Sequence, residues 1–122
     1  MSEARTLVAI VDDDVGVCRA MQRLVRSAGF RTTAYPSGEA LLRTVAAEAP
    51  DHVLLDLHVP GLNGAALISR LLDHRRDLRI TVMTGLDTPG ARDACLFAGA
   101  SGYLVKPVML RDLVDALSAR KS

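Results

Sequence analysis

Five short strand-like runs, four of them mainly apolar and one (Arg31 to Tyr35) β-branched and alternating, recur along the chain, each followed by a longer stretch whose apolar residues return at helical spacing. The runs are Leu7 to Val11, Arg31 to Tyr35, Val53 to Leu55, Ile80 to Met83 and Tyr103 to Val105. Most are continuous aliphatic runs rather than alternating ones, the pattern of strands buried on both faces. Strands that alternate with helices are joined by right-handed crossovers and build a mostly parallel sheet. This predicts one doubly wound α/β domain of five strands and five helices. No linker, internal repeat or low-complexity tract divides it.

Local signals mark the helices. Ala20, Met21, Leu24, Val25 and Ala28 share one helical face, and Gly29 follows as a stop. Pro36 closes the second strand, and Ser37 is placed to cap a helix carrying Leu41, Leu42 and Val45. Asn63-Gly64 is a hairpin dipeptide in isolation. Leu67, Ile68, Leu71 and Leu72 follow at helical spacing, so Asn63 reads as a helix cap. Thr88-Pro89 reads as an N-cap with proline at the first helical position. That helix carries Ala91, Ala94, Cys95 and Ala98, and Gly99 ends it. Leu110, Leu113, Val114 and Leu117 form the last apolar stripe.

Composition narrows the function. The 122 residues are 49% hydrophobic and 3% aromatic, enough aliphatic material for one core without disulfides or structural metal. Lys and Arg number 15 against 14 Asp and Glu, a net charge of +1. That balance argues against disorder and against a dedicated nucleic-acid binder, so no direct nucleic-acid contact is expected. The run Leu7 to Val11 falls far short of the ~20 apolar residues of a membrane span and is too short for a signal peptide. The expected location is the cytoplasm, without membrane contact. Cys18 and Cys95 form no CxxC pair and read as small buried or half-buried thiols. His52, His58 and His74 share no metal-like spacing and read as surface or strand-flanking residues.

In open α/β sheets, ligands gather beyond the carboxyl ends of the strands, where strand order reverses. The first strand ends at Asp12, Asp13 and Asp14, the third at Asp56, the fourth at Thr84 and the fifth at Lys106. Singly, each has an ordinary explanation. Asp12 to Asp14 could cap the first helix, and the others could be strand-end or solvated groups. Jointly they place carboxylates, a hydroxyl and an ammonium on one edge. Converging carboxylates repel one another, and a hard cation such as Mg²⁺ relieves that repulsion. With a lysine and a hydroxyl added, the set suits a tetrahedral phosphoryl group, and an Asp carboxylate can itself be the accepting nucleophile. No GxxxxGK[ST] loop, no GxGxxG after a strand and no zinc-spaced His/Cys group competes with this reading.

From Leu7 to the last helix, the chain resembles the receiver domain of two-component response regulators. The matching pieces are Val-Asp-Asp-Asp at 11–14, Leu-Leu-Asp-Leu-His-Val-Pro-Gly-Leu-Asn-Gly at 54–64, Val-Met-Thr-Gly at 82–85, Ala-Gly-Ala at 98–100 and Gly-Tyr-Leu-Val-Lys-Pro at 102–107. All stand in order at the family's usual separations. The resemblance implies a flavodoxin-like sheet of strand order 2-1-3-4-5. It implies a phosphoacceptor signalling domain rather than a conventional enzyme. Asp56 would attack the phosphohistidine of a sensor histidine kinase or phosphotransfer protein. Asp13 would ligate Mg²⁺ directly, Asp12 through water or hydrogen bonds, and His58 through its backbone carbonyl. Thr84 would hydrogen-bond the phosphoryl oxygen, Lys106 would pair with the phosphate, and the Lys106-Pro107 peptide would be cis. Thr84 and Tyr103 would form the switch. Tyr103 would swing inward from an exposed position and alter the helix 4–strand 5–helix 5 face, the output or homodimer surface. Residues 1–122 are expected to form a receiver domain with no effector domain in this chain, either as a single-domain regulator or as a piece of a longer transcription factor.

Departures from the family pattern are few. Val59 stands where Met is common, and Val108 where an aromatic is frequent. Leu86 and His58 occupy positions that tune phosphoryl lifetime in the family. An apolar Leu86 cannot position an attacking water, which predicts slow hydrolysis of the acyl phosphate. Two rivals stay open. An aspartate-nucleophile phosphohydrolase usually has a second acid two residues after its nucleophile, and His58 fills that slot. A phosphate-independent interaction domain is weighed against by the complete Asp12, Asp13, Asp56, Thr84 and Lys106 set.

Overall fold

The computed structural model describes residues 6–48, 50–57 and 64–118. In chain order the elements are β1 (Leu7–Val11), α1 (Val15–Ser27), β2 (Arg31–Tyr35), α2 (Gly38–Glu48), β3 (His52–Asp56), α3 (Gly64–His74), β4 (Arg79–Thr84), α4 (Ala91–Ala98), β5 (Gly102–Val105) and α5 (Leu110–Ser118). The strands form one sheet in the order β2-β1-β3-β4-β5, and every neighbouring pair is parallel. The expected strands are present, with ends displaced by a residue at most.

The aliphatic runs are continuous because successive side chains enter two different cores. Ala9, Val11, Val53, Leu55, Ile80 and Val82 pack with Leu41 and Val45 of α2, Leu67, Ile68 and Leu71 of α3, and Cys95 of α4. Val8, Ile10, Leu54 and Met83 point the other way, against Cys18 and Val25 of α1 and Leu113 and Leu117 of α5. A strand with helices on both faces has no position left for a solvated residue. Central β3 shows this most fully, since all five of its residues are buried. Among the described residues, no helix is long and apolar enough to cross a membrane.

Helix boundaries follow local chemistry. Asp14 caps α1, its Oδ1 accepting from the Val17 N–H at 3.0 Å. Gly29 and Gly99 follow their helices at φ 98° and 117°, the left-handed region that closes a helix cheaply only with glycine. The Ser37 hydroxyl accepts from the Ala40 N–H at 3.1 Å, as a cap should. Asn63 lies outside the described residues.

Two expectations are corrected. Thr88 does not cap α4. The Ala91 N–H donates to the Thr88 carbonyl at 3.1 Å, and Gly90 takes φ 83°, ψ −13°. Pro89 and Gly90 are therefore the corners of a type II turn, whose second corner needs positive φ, and the helix begins only at Ala91. His52 is not at the surface. It opens β3 between Val8 of β1 and Arg79 of β4, is 1% exposed, and its Nε2 lies 2.8 Å from Thr81 Oγ1. Central placement of β3 buries the imidazole, and Thr81 satisfies it. His74, by contrast, is exposed at the end of α3.

Candidate functional site

Helices α1 and α5 cover one face of the sheet and α2 to α4 the other, so connection direction reverses between β1 and β3. That is the switch point at which ligands bind in this architecture. Register brings two carboxylates together there. Val11 lies opposite Leu55, so the residues that follow, Asp12 and Asp56, are neighbours at the sheet edge. Both are buried, at 4% and 5% exposure. The Asp12 N–H donates to the Tyr35 carbonyl at 3.1 Å, which ties the end of β1 to β2.

The cation comes from β5. Thr84 pairs with Val105, and the Lys106 N–H donates to the Thr84 carbonyl at 2.7 Å. From that anchor, Lys106 Nζ reaches Asp56 Oδ2 at 3.1 Å. The Lys106-Pro107 peptide is cis, as the resemblance implied. One ammonium thus faces two buried carboxylates. Burial holds the Asp12 carboxyl above the ordinary carboxylate range, and the Asp56 charge adds to this. The Asp14 N–H, which donates to Asp12 Oδ1 at 2.9 Å, and the Lys106 charge oppose it.

Other expected members stand apart from this group. Asp13 is exposed in the bend between β1 and α1, and Asp14 is engaged as the α1 cap. Among the described residues, no three His, Cys, Asp or Glu side chains stand close enough to share a metal ion. His58, expected to lend a backbone carbonyl, lies outside the described residues.

Thr84 ends β4 fully buried at 0% exposure. Its hydroxyl donates to the Leu86 carbonyl at 2.9 Å and accepts from the Leu86 N–H at 3.0 Å. Tyr103 is inward rather than exposed, at 8% exposure within the core between β4, β5 and α4. Its hydroxyl donates to Asp87 Oδ1 at 2.9 Å. Burial, helped by the Asp87 carboxylate, pushes the phenol up to about 12. Sequence reading missed Asp87. It lies in a loop beside the Pro89-Gly90 turn, and only the adjacency of β4 and β5 brings it to Tyr103.

The arrangement also settles smaller expectations. Cys18 and Cys95 are buried free thiols, pushed up by burial. After α3, Arg75 pairs with Asp77 at 3.3 Å and donates to the Pro50 carbonyl, and Arg79 reaches the Ala116 carbonyl at 3.3 Å. These contacts are structural.

The model of the response regulator receiver domain matches residues 8–118. The chain belongs to this family. The receiver domain is 34% identical over 112 residues to the transcriptional regulatory protein PrrA of Mycobacterium tuberculosis, covering 92% of this chain and 48% of that protein. It is 34% identical over 122 residues to the sensory/regulatory protein RpfC of Xanthomonas campestris, covering 96% of this chain and 17% of that one. The chain thus spans about half the length of PrrA. Its backbone matches a CheY-like receiver domain protein of Methanospirillum hungatei with a TM-score of 0.86 at 24% identity, covering 93% of this chain and 91% of that one, a likeness of fold. It also matches a response regulator of Burkholderia pseudomallei, solved with a phosphorylated aspartic acid, calcium ion and citrate. There the TM-score is 0.85 at 25% identity, covering 93% of this chain and 67% of the other. Receiver domains are signalling domains of two-component systems; they interact with histidine kinases or phosphotransfer proteins and generally bind Mg²⁺ at the phosphorylation site. The expected strand order is the one found.

Proposed function

We propose that Asp56 is the phosphoacceptor of this receiver domain, with Lys106, Thr84 and Asp12 as its working partners. The observation that carries the reading is the buried Asp12–Asp56–Lys106 group at the switch point, with Lys106 Nζ 3.1 Å from Asp56 Oδ2. A buried carboxylate oriented by an ammonium is a positioned nucleophile. An Asp56 oxygen attacks the phosphorus of a phosphohistidine, the P–N bond breaks, and the imidazole of the partner leaves with its electron pair. Lys106 then offsets charge on the new phosphoryl oxygens, and the Thr84 hydroxyl donates to one of them.

The donor set fits Mg²⁺. Two adjacent buried carboxylates with a single ammonium leave an excess of negative charge, and the Asp12 carboxyl, raised first by burial, is raised further by the Asp56 charge. Mg²⁺ takes one or two carboxylates and keeps several waters, so a third preassembled ligand is not required. Asp12, Asp13, Asp56 and the His58 carbonyl would hold it. Bound there, Mg²⁺ would offset the charge of the carboxylates and of the incoming phosphoryl oxygens.

The output surface in this reading is the α4–β5–α5 face, on which Phe97, Val105 and Leu110 are 95%, 46% and 45% exposed. A homodimer through that face, a sensor kinase or phosphotransfer partner, and a cytoplasmic setting all belong to the same reading. Acetyl phosphate with Mg²⁺ tests it against the phosphohydrolase alternative. A receiver takes up one phosphoryl group per chain. Sustained release of many equivalents of inorganic phosphate would favour the hydrolase.

A further inference from the structure

The loop between β4 and α4 carries two side-chain hydrogen-bonding arrangements that adjoin in the chain. Thr84 Oγ1 donates to the Leu86 carbonyl at 2.9 Å and accepts from its N–H at 3.0 Å. The next residue, Asp87, accepts from the Tyr103 hydroxyl at 2.9 Å, across from β4 to β5. We infer that Asp87 is a positioning residue coupling Thr84 to Tyr103, holding the phenol while Thr84 is bound to Leu86 and yielding it when a phosphoryl oxygen draws Thr84 away. This rests on the reading of Asp56 as phosphoacceptor.

The chain of cause is short. A hydroxyl has one proton, so Thr84 can donate to a phosphoryl oxygen only by giving up its bond to the Leu86 carbonyl. That bond closes the turn that leads into Asp87. Leu86 is 61% exposed and Asp87 is exposed, so the loop can shift without opening a core. Tyr103 is less free. Its ring sits among core residues, with the Asp87 carboxylate, the Cys95 thiol and the Arg92 guanidinium as the titratable groups that act on it. Moving Asp87 takes the acceptor from a part-buried phenol hydroxyl, a cost of up to one lost hydrogen bond. The displaced loop therefore reports to the β5 face, and the effect runs both ways. Whatever weakens the Asp87–Tyr103 bond makes Thr84 easier to recruit and tightens phosphoryl binding at Asp56.

Beryllofluoride, a phosphoryl mimic, titrated with Mg²⁺ into the full chain, tests this. Asp87→Ala and Tyr103→Phe each tighten binding by about threefold to tenfold, the scale of one hydrogen bond. The double variant binds no tighter than either single one, because both remove the same bond. Asp87→Asn, which keeps an acceptor oxygen, restores the wild-type affinity, a rescue that a merely structural role would not give. In parallel, the Tyr103 phenol, pushed up to about 12, ionises at lower pH in Asp87→Ala when followed by ultraviolet absorbance. Wild-type affinity in Asp87→Ala, or additive gains in the double variant, overturns the coupling alone. A wild-type chain that binds no beryllofluoride overturns the Asp56 reading and this inference with it.

Discussion

Acid should destabilise this fold at a point remote from the phosphoryl site, the imidazole of His52. The ring is 1% exposed at the opening of β3, and burial, with the Arg79 charge adding, lowers its pKa from 6.5 to about 4. The folded protein therefore keeps His52 neutral under conditions where the unfolded chain protonates it. Between pH 6.5 and about 4 the unfolded state binds the extra proton, so stability falls as pH falls through that window. Above it the contribution is fully retained, and below it the loss is complete. At about 1.4 kcal/mol per tenfold change in proton affinity, the whole loss is roughly 3 kcal/mol. Urea denaturation at pH 7.5 and pH 4.5 reads it, provided that His52→Gln is measured alongside to remove the part due to carboxylates. The wild type should lose roughly 2–3 kcal/mol more than the variant between those conditions. Proton NMR gives the site directly, the His52 ring being assigned by its absence from the variant. Equal acid sensitivity in the two proteins, or a His52 ring that titrates near 6.5 in the folded state, would refute the reasoning.

Other perturbations follow from single observations. Gly99→Ala forces a side chain onto φ 117° and brings a Cβ against Leu72, so thermal or urea melts should show a loss of about 1–2 kcal/mol; an unchanged midpoint would mean that the helix end relaxes freely. Lys106→Met removes the ammonium 3.1 Å from Asp56, and the initial rate of phosphorylation by acetyl phosphate should fall about tenfold or more. An undiminished rate would take Lys106 out of the site. Leu86 presents an apolar, 61% exposed side chain beside Thr84, so the acyl phosphate should persist for minutes or longer after donor removal. A lifetime of seconds would contradict that.

Much of this architecture is readable in the order of residues, and the reason is physical. Aliphatic runs such as Leu7–Val11 and His52–Asp56 are continuous because both sheet faces are covered, so the pattern itself encodes burial on two sides. Asp12, Asp56, Thr84 and Lys106 are readable as a set because each directly follows or ends a strand, and parallel strands deliver their ends to one edge. What the residues did not disclose depends on contacts between elements. His52 looks like a strand-flanking histidine until the strand order places β3 centrally beside Thr81. Asp87 has no spacing that links it to Tyr103, sixteen residues away, and only adjacent β4 and β5 join them. The α4 boundary is ambiguous in the sequence because Thr88-Pro89 satisfies a helix-start rule, whereas Pro89-Gly90 satisfies a turn rule more completely. Asp13 is the reverse case. Its motif is plain, and the structure adds only that its side chain is exposed beside Asp12.

The central claim is that Asp56 accepts the phosphoryl group, and intact-mass measurement tests it most directly. The wild-type chain, incubated with acetyl phosphate and Mg²⁺, should gain the mass of one phosphoryl group, while Asp56→Asn under the same conditions should gain none. A wild-type chain that stays unmodified across a range of phosphodonors would contradict the account, and equal labelling of Asp56→Asn would place the acceptor elsewhere.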